Sequence, residues 1–350
     1  MDLNFVARAE LAGIEWDEES GKWLRPQVDA ETLRTLTERS TAEGMLRLTV
    51  HTALIVGSAF LTLFAARYHL LLAVPPFLFY AFLIGFLNGV EHEMRHKILF
   101  SRQLNWFNDA VYFLIHVLFR QGSRYQTVSH RTHHRYTMVR GVDPETPFPD
   151  QITRRWVKRT LGGLLLEVVT LGVPSFLKAV IALSKRIAGV KDQLMRDQCS
   201  EKDIRFIRIE SLAILVINIA VIVIGVWFRR WDLILLIIVG PQVGGAIVAF
   251  WWMTEHIGMM YNTNDQRICT RGVKVSPFVK FLYGGLDEHV EHHLYPAVPS
   301  RNLAKLRESI DWPIQERIGV VACWREIYEI ARHQETNPDD VFLPIEAIAD

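Results

Sequence analysis

Nine of the 13 histidines in this 350-residue chain stand in four short clusters. The first is His92-Glu93-Met94-Arg95-His96, whose i, i+4 spacing puts both imidazoles on one helix face. The second is His130-Arg131-Thr132-His133-His134, the third is His256 alone, and the last is His289-Val290-Glu291-His292-His293. Each HxxHH presents i, i+3 and i+4, so two rings share a face and the third is angled beside them. At this histidine content roughly 0.02 HxxHH matches are expected by chance, so two in one chain point to a selected pattern. Neutral imidazole suits iron, zinc and copper. Nine ligands are too many for one ion. They give two ions four or five nitrogens each and leave positions for oxygen or water. The three cysteines, Cys199, Cys269 and Cys323, are too far apart in sequence for a CxxC zinc site or an iron–sulfur cluster. The ExxH pairs of soluble di-iron bundles are missing, apart from Glu93…His96. His116 sits in an apolar stretch and reads as a packing residue. His51, His69 and His333 have no partners in sequence and read as structural.

Four apolar segments are long enough to position these clusters from within a bilayer, which takes about 20 residues at 1.5 Å rise. They run over 46–66, 70–90, 207–228 and 231–253. Pro75 and Pro76 fall early in the second, where a missing N–H costs least. Pro241 and Gly244-Gly245 lie in the middle of the fourth, where a kink or a close helix contact is expected. Two further stretches, 104–119 and 161–183, are apolar but short or broken by Glu167, Pro174 and Lys178, and they read as interfacial. Before the first span, Asp29 is placed to cap a short helix. The first apolar run begins only near Leu46, behind a long charged stretch, so no signal peptide is expected.

The fold expected is all-α: an integral membrane four-helix bundle of two hairpins, with a helical cap holding a histidine-rich di-metal site. The expected division is an N-terminal segment 1–45, a membrane domain 46–306 and a C-terminal helical tail 307–350. The mean hydropathy of +0.13 fits such a mixture of spans and polar segments. Short links around Tyr68 and at Arg229-Arg230 close the hairpins on one side. The tails and the long 91–206 connection share the other side and carry nearly all the Lys and Arg, which assigns it to the cytoplasm. The overall balance of 39 basic against 38 acidic residues argues against a nucleic-acid partner.

All four clusters therefore fall at the inner membrane surface rather than the bilayer midplane, where a transporter places its ionisable groups. That location suits a substrate with a polar head in water and an acyl tail among the helices. The chemistry on offer is oxygen activation and attack on an unactivated C–H bond, the protein positioning the chain and tuning the metals. Glu93, Asp143, Asp287 and Glu291 are candidates for orienting the ligand rings.

The order and spacing of the boxes and the two hairpins resemble the membrane fatty acid desaturase family, over roughly residues 39–306, in its bacterial form. His130-Arg-Thr-His-His followed by Asp143-Pro144-Glu145 resembles its HxxHH…DP pattern. His289-Val-Glu-His-His with Pro296 and Pro299 resembles its last box, and Glu255-His256 with Thr270-Arg271 resembles a segment of bacterial members. One position departs: Trp252 stands four residues before His256, where acyl-CoA desaturases carry Asn. The resemblance implies two iron ions held by His92, His96, His130, His133, His134, His256, His289, His292 and His293, with O2 as co-substrate and a fatty acyl substrate. It implies a multi-pass protein of the bacterial inner membrane with its site on the cytoplasmic side. Related chemistries remain open: alkane or fatty acid hydroxylation, decarboxylation of fatty acids to terminal alkenes, or a non-enzymatic membrane metal-binding protein. The chain carries no cysteine set for an iron–sulfur cluster, no Gly-rich dinucleotide fingerprint and no HPGG haem signature. Electrons are therefore expected from a ferredoxin or small haem protein with its reductase, steered by Arg131, Arg135 and Arg140.

Overall fold

The computed structural model describes residues 3–16, 21–149 and 151–345. Seventeen α-helices are assigned among them. The first nine are α1 (Ala30–Leu36), α2 (Thr41–Ala66), α3 (Leu70–Gly85), α4 (Leu87–Arg95), α5 (Asn105–Phe119), α6 (Ser123–Arg135), α7 (Arg154–Val169), α8 (Val173–Ile187) and α9 (Gln193–Gln198). They continue as α10 (Glu201–Trp227), α11 (Trp231–Leu233), α12 (Gly240–Trp252), α13 (Gln266–Cys269), α14 (Pro277–Tyr283), α15 (His289–Leu294), α16 (Leu303–Glu308) and α17 (Val320–Gln334). Among the described residues, sheet is limited to two two-stranded pairs: β1 (Phe5–Ala7) antiparallel to β4 (Asp340–Phe342), and β2 (Val273–Lys274) parallel to β3 (Ile318–Gly319). The chain forms two compact units. One comprises residues 40–129 and 163–249, the other residues 1–39, 130–162 and 250–350.

The first unit carries the membrane helices. Four helical stretches are long and apolar enough to span, and their boundaries differ from the apolar runs for local reasons. α2 starts five residues before Leu46 because the Ser40 hydroxyl caps the Glu43 N–H (3.3 Å). α10 starts at Glu201 because Ser200 and Asp203 form a reciprocal capping box. The second span continues through α4 to Arg95, so His92 lies on the helix and His96 is its C-cap. Asp29 caps α1 through the Thr32 N–H (2.9 Å), as its position implied. α7 and α8 meet at 93°, turning at Gly172, whose φ of +73° suits a residue without Cβ.

The fourth span opens as a turn of π-helix over Ile234–Val239, directly before Pro241. In that register the Leu236 carbonyl would be paired by the residue 241 N–H, which proline lacks. The Tyr80 hydroxyl supplies the missing donor (2.8 Å). One turn on, α3 and α12 touch backbone to backbone: a Cβ on Gly244 would lie 2.3 Å from the Ala81 carbonyl oxygen. Gly244 thus marks a close helix contact of the kind its sequence position implied, while Gly245 has open space beside it. Ala81, Ile84, Leu87 and Val243 pack around it, while Leu70 and Trp227 remain 76% and 80% exposed, an outward apolar surface suited to lipid.

Three buried polar side chains of this unit show how neighbours match them. Arg120 reaches the Asn218 side chain (2.7 Å) and the Ile238 carbonyl (2.8 Å). Glu210 accepts from the Ser123 hydroxyl and the Arg124 N–H. His51 contacts the Leu83 carbonyl (2.8 Å).

The second unit packs Met138, Ile257, Cys269, Trp324, Ile327 and Ile330 into one apolar cluster, with Val290, Leu294, Leu303 and Leu306 in another. The β1–β4 pairing sets Phe5 opposite Phe342, so chain segments from both ends belong to this unit. His333 stacks on Phe5 with ring centroids 3.7 Å apart and binds Asp340, which is a structural use of that ring.

Candidate metal centre

Within the second unit, α6 and α15 each deliver three rings and the turn after α12 delivers His256. The one-residue offset inside each HxxHH separates them into two sets. In one, His134 Nε2 stands 3.0 Å from His130 Nε2 and 3.1 Å from His292 Nε2. In the other, His133, His256, His289 and His293 are all buried, with one ring nitrogen each within 4.8 Å of the others. There His289 Nε2 stands 3.2 Å from His256 Nε2 and 3.1 Å from His293 Nε2.

In four of the rings the opposite nitrogen faces a protein oxygen. His130 Nδ1 is 2.9 Å from the Glu145 carboxylate and His133 Nδ1 is 2.9 Å from Asp143. His256 Nδ1 is 2.9 Å from the Cys269 carbonyl. His293 Nδ1 is 3.2 Å from the Thr137 hydroxyl, which itself donates to the His133 carbonyl and so presents a lone pair to the ring. A proton held at Nδ1 by an oxygen leaves a lone pair at Nε2. Burial, and then the neighbouring His133 ring, lower the His256 pKa to about 3, so this ring is neutral at any physiological pH. Burial and the rings of His134 and His289 push His293 the same way.

These donors fit a transition-metal ion. Ligands bound at about 2.1 Å stand about 3.0 Å apart along an octahedral edge and about 3.4 Å apart along a tetrahedral one. The nitrogen separations of 3.0–3.2 Å fall between. The lone pairs of His256 and His293 both face His289 Nε2, which carries at most one proton. A cation among them satisfies all three.

Asp143 is fixed as an orienting group. It accepts from the Met138 N–H (2.8 Å), the Glu145 N–H (2.9 Å) and the Thr146 hydroxyl (2.7 Å). Burial acts against its charge, while the His133 ring and the N–H donors act for it, and the carboxyl is held below its ordinary value. Of the other acidic candidates, Glu291 is engaged by Arg307 (2.6 Å), Asp287 by Lys280 and Arg317 (3.4 Å each) and Glu93 by Arg47. Sequence reasoning missed Glu145, Thr137, the Cys269 carbonyl and Glu255 as partners of these rings. Glu145 was within reach, being the second acid of Asp143-Pro144-Glu145. Nothing in a sequence marks a carbonyl.

His92 and His96 belong to the membrane unit, where their rings lie 4.9 Å apart. His92 is buried and His96 half-buried. His116, next in that unit, binds Glu91 (3.1 Å), which also pairs with Arg95. His69 caps α3 by accepting from the Leu71 N–H (3.1 Å).

The sequence profile of a family described as fatty acid desaturase matches residues 68–320. Among curated proteins, an acyl-lipid (9-3)-desaturase of Physcomitrium patens is 30% identical over 87 residues, 23% of this chain and 17% of that protein. A Delta(6)-fatty-acid desaturase, fat-3, of Caenorhabditis elegans is 47% identical over 38 residues, 11% of this chain and 9% of that protein. The matches thus span less than a fifth of either relative.

Proposed function

Because the chain belongs to the fatty acid desaturase family, we propose that it is an O2-dependent membrane di-iron oxidoreductase that introduces a double bond into a fatty acyl chain. The observation that carries this reading is the two histidine sets, in which four rings are anchored on oxygens at Nδ1 and Nε2 atoms converge. In this proposal His133, His256, His289 and His293 hold one iron. His130, His134 and His292 hold the other, with His92 and His96 completing its donors.

Bound and reduced, two irons supply the O2-derived oxidant for removing two hydrogens from adjacent carbons. The overall change consumes one O2, two electrons and two protons and releases two waters and the alkene. This chain's own residues fix ring tautomer and aim: Asp143 and Glu145 through Nδ1, Thr137 and the Cys269 carbonyl likewise. The electrons come from a separate ferredoxin or small haem protein, drawn to the exposed Arg131, Arg135 and Arg140. The site faces the cytoplasm, on the side where Lys and Arg concentrate. The chain works as an N-terminal segment 1–45, a membrane desaturase domain 46–306 and a C-terminal tail 307–350.

Expression in a host of known lipid profile, followed by mass spectrometry of total lipids and headspace, tests the reading. A new double bond supports it. A hydroxylated lipid or a volatile terminal alkene replaces desaturation with one of the related oxidations. Reporter fusions at Tyr68 and Arg229 test the orientation, and a cytoplasmic signal at either reverses it.

A further inference from the structure

Glu255, at the end of the fourth span, is spoken for by neither the orienting network nor, among the described residues, a Lys or Arg. Its carboxylate is buried, with 5% of the side chain exposed. One oxygen accepts from the Tyr283 hydroxyl; the other, Oε2, stands 3.2 Å from His289 Nε2. Among the described residues no Lys or Arg lies within ion-pair distance of it. Arg271, whose backbone N–H meets the Glu255 carbonyl (2.7 Å), commits its guanidinium to Glu326, Thr254 O and Ile257 O.

The face of the ring decides what this carboxylate does. Asp143 and Glu145 approach their histidines at Nδ1, the side turned away from the cluster. Glu255 approaches at Nε2, the same nitrogen that faces His256 and His293. Its 3.2 Å separation matches the nitrogen–nitrogen separations and therefore the edge of the same coordination polyhedron. Three acceptors, two imidazole lone pairs and one carboxylate oxygen, converge on a nitrogen that has at most one proton to give. A buried carboxylate without a basic partner also lacks a compensating charge, which a divalent ion supplies.

We propose that Glu255 is a carboxylate ligand of the ion held by His133, His256, His289 and His293. This rests on the reading that those histidines hold a metal, and it makes the two ions inequivalent: one has an oxygen donor from the protein, the other only nitrogens. Tyr283 fixes the free oxygen, and Arg271 with Glu326 fixes the backbone on both sides of Glu255 and His256. Glu326 lies on α17, beyond the segment matched by the family profile, so this chain's C-terminal helix supports the ligand loop.

The test uses the full chain in lipid nanodiscs, stripped of metal and titrated with Co(II), whose visible d–d bands report its ligands. Wild-type protein should take two Co(II) per chain. Glu255→Ala should keep one at wild-type affinity and weaken the other tenfold or more, with changed band positions. Glu255→Gln keeps the volume and the contact with Tyr283 but removes the charge, and should weaken the same ion. Tyr283→Phe leaves the carboxylate in place but frees its second oxygen, so it should retain both ions and shift the same bands. It also serves if the Glu255 variants do not fold. Unchanged affinity and spectrum in the folded Glu255 variants, or an unmoved spectrum in Tyr283→Phe, overturns the proposal. Wild-type protein that binds no Co(II) overturns the metal reading beneath it.

Discussion

The two units bury polar groups in opposite ways. In the membrane unit the buried Arg120, Glu210 and Tyr80 find complements on neighbouring elements: Arg120 on Asn218 and the Ile238 carbonyl, Glu210 on Ser123 and Arg124, Tyr80 on the Leu236 carbonyl. Donor meets acceptor, and nothing further is needed. In the histidine unit His130, His133, His256 and His293 reach an oxygen on the outer side of the ring. On the inner side nitrogen faces nitrogen, and at His289 a carboxylate faces it as well. A buried polar group with its complement in place is structural. A cluster whose satisfied sides point outward and whose like atoms converge inward is built around something else.

That contrast is broken or sharpened by removing one member of each kind. The largest effect is expected at His133→Ala, which should drop activity to background and metal content to about one ion per chain. His116→Ala in the membrane unit should keep both ions; metal analysis of the two purified variants checks this, and an iron-replete, active His133 variant would reverse the distinction. Gly244→Ala should cost about 2–3 kcal/mol of stability, because its Cβ overlaps the Ala81 carbonyl and the α3 backbone has no side chain to move aside. Thermal or denaturant unfolding in nanodiscs reads that loss, which should leave the binding constants of the folded fraction unchanged. Asp143→Asn should reduce metal affinity about 10–100-fold by loosening the His133 ring, while stability changes less than in Gly244→Ala. Tyr80→Phe leaves the Leu236 carbonyl beside Pro241 without its donor and should cost about 1–2 kcal/mol, with metal content intact. The smallest effect belongs to Arg154→Ala. Its bridge to Glu335 is solvent-exposed, so the melting temperature should stay close to wild type, and a clear drop would mean that this edge of the histidine unit carries more than a surface ion pair.

Much of this architecture is legible in the sequence because its signals are local. Four apolar runs specify four spanning helices, since length and composition alone decide whether a helix suits a bilayer. Asp29 announces its cap, and Gly244 announces a close contact. The spacing of the histidine boxes suits a metal site, and the two-set division follows from the offset between i, i+3 and i+4 on two helices. The helix ends were less legible, because Ser40 and Ser200 act through backbone N–H groups that hydropathy does not see. The π turn before Pro241 depends on Tyr80, 161 positions earlier in the chain.

Which group serves which ring was decided only by the tertiary structure. Four acids looked equally able to orient a histidine: Glu93, Asp143, Asp287 and Glu291. The choice fell to Asp143 because the turn after α6 folds it back onto His133, while Arg307 engages Glu291, Lys280 and Arg317 engage Asp287, and Arg47 engages Glu93. Glu145, Thr137, the Cys269 carbonyl and Glu255 reach their rings across 15, 156, 13 and 34 positions of sequence, respectively. The sequence by itself determined which atoms are able to bind a metal, because that is a property of residue type and helical period. The direction each ring faces, and whether a carboxylate meets it at Nδ1 or at Nε2, depends on where the chain returns in space, and no local pattern encodes that.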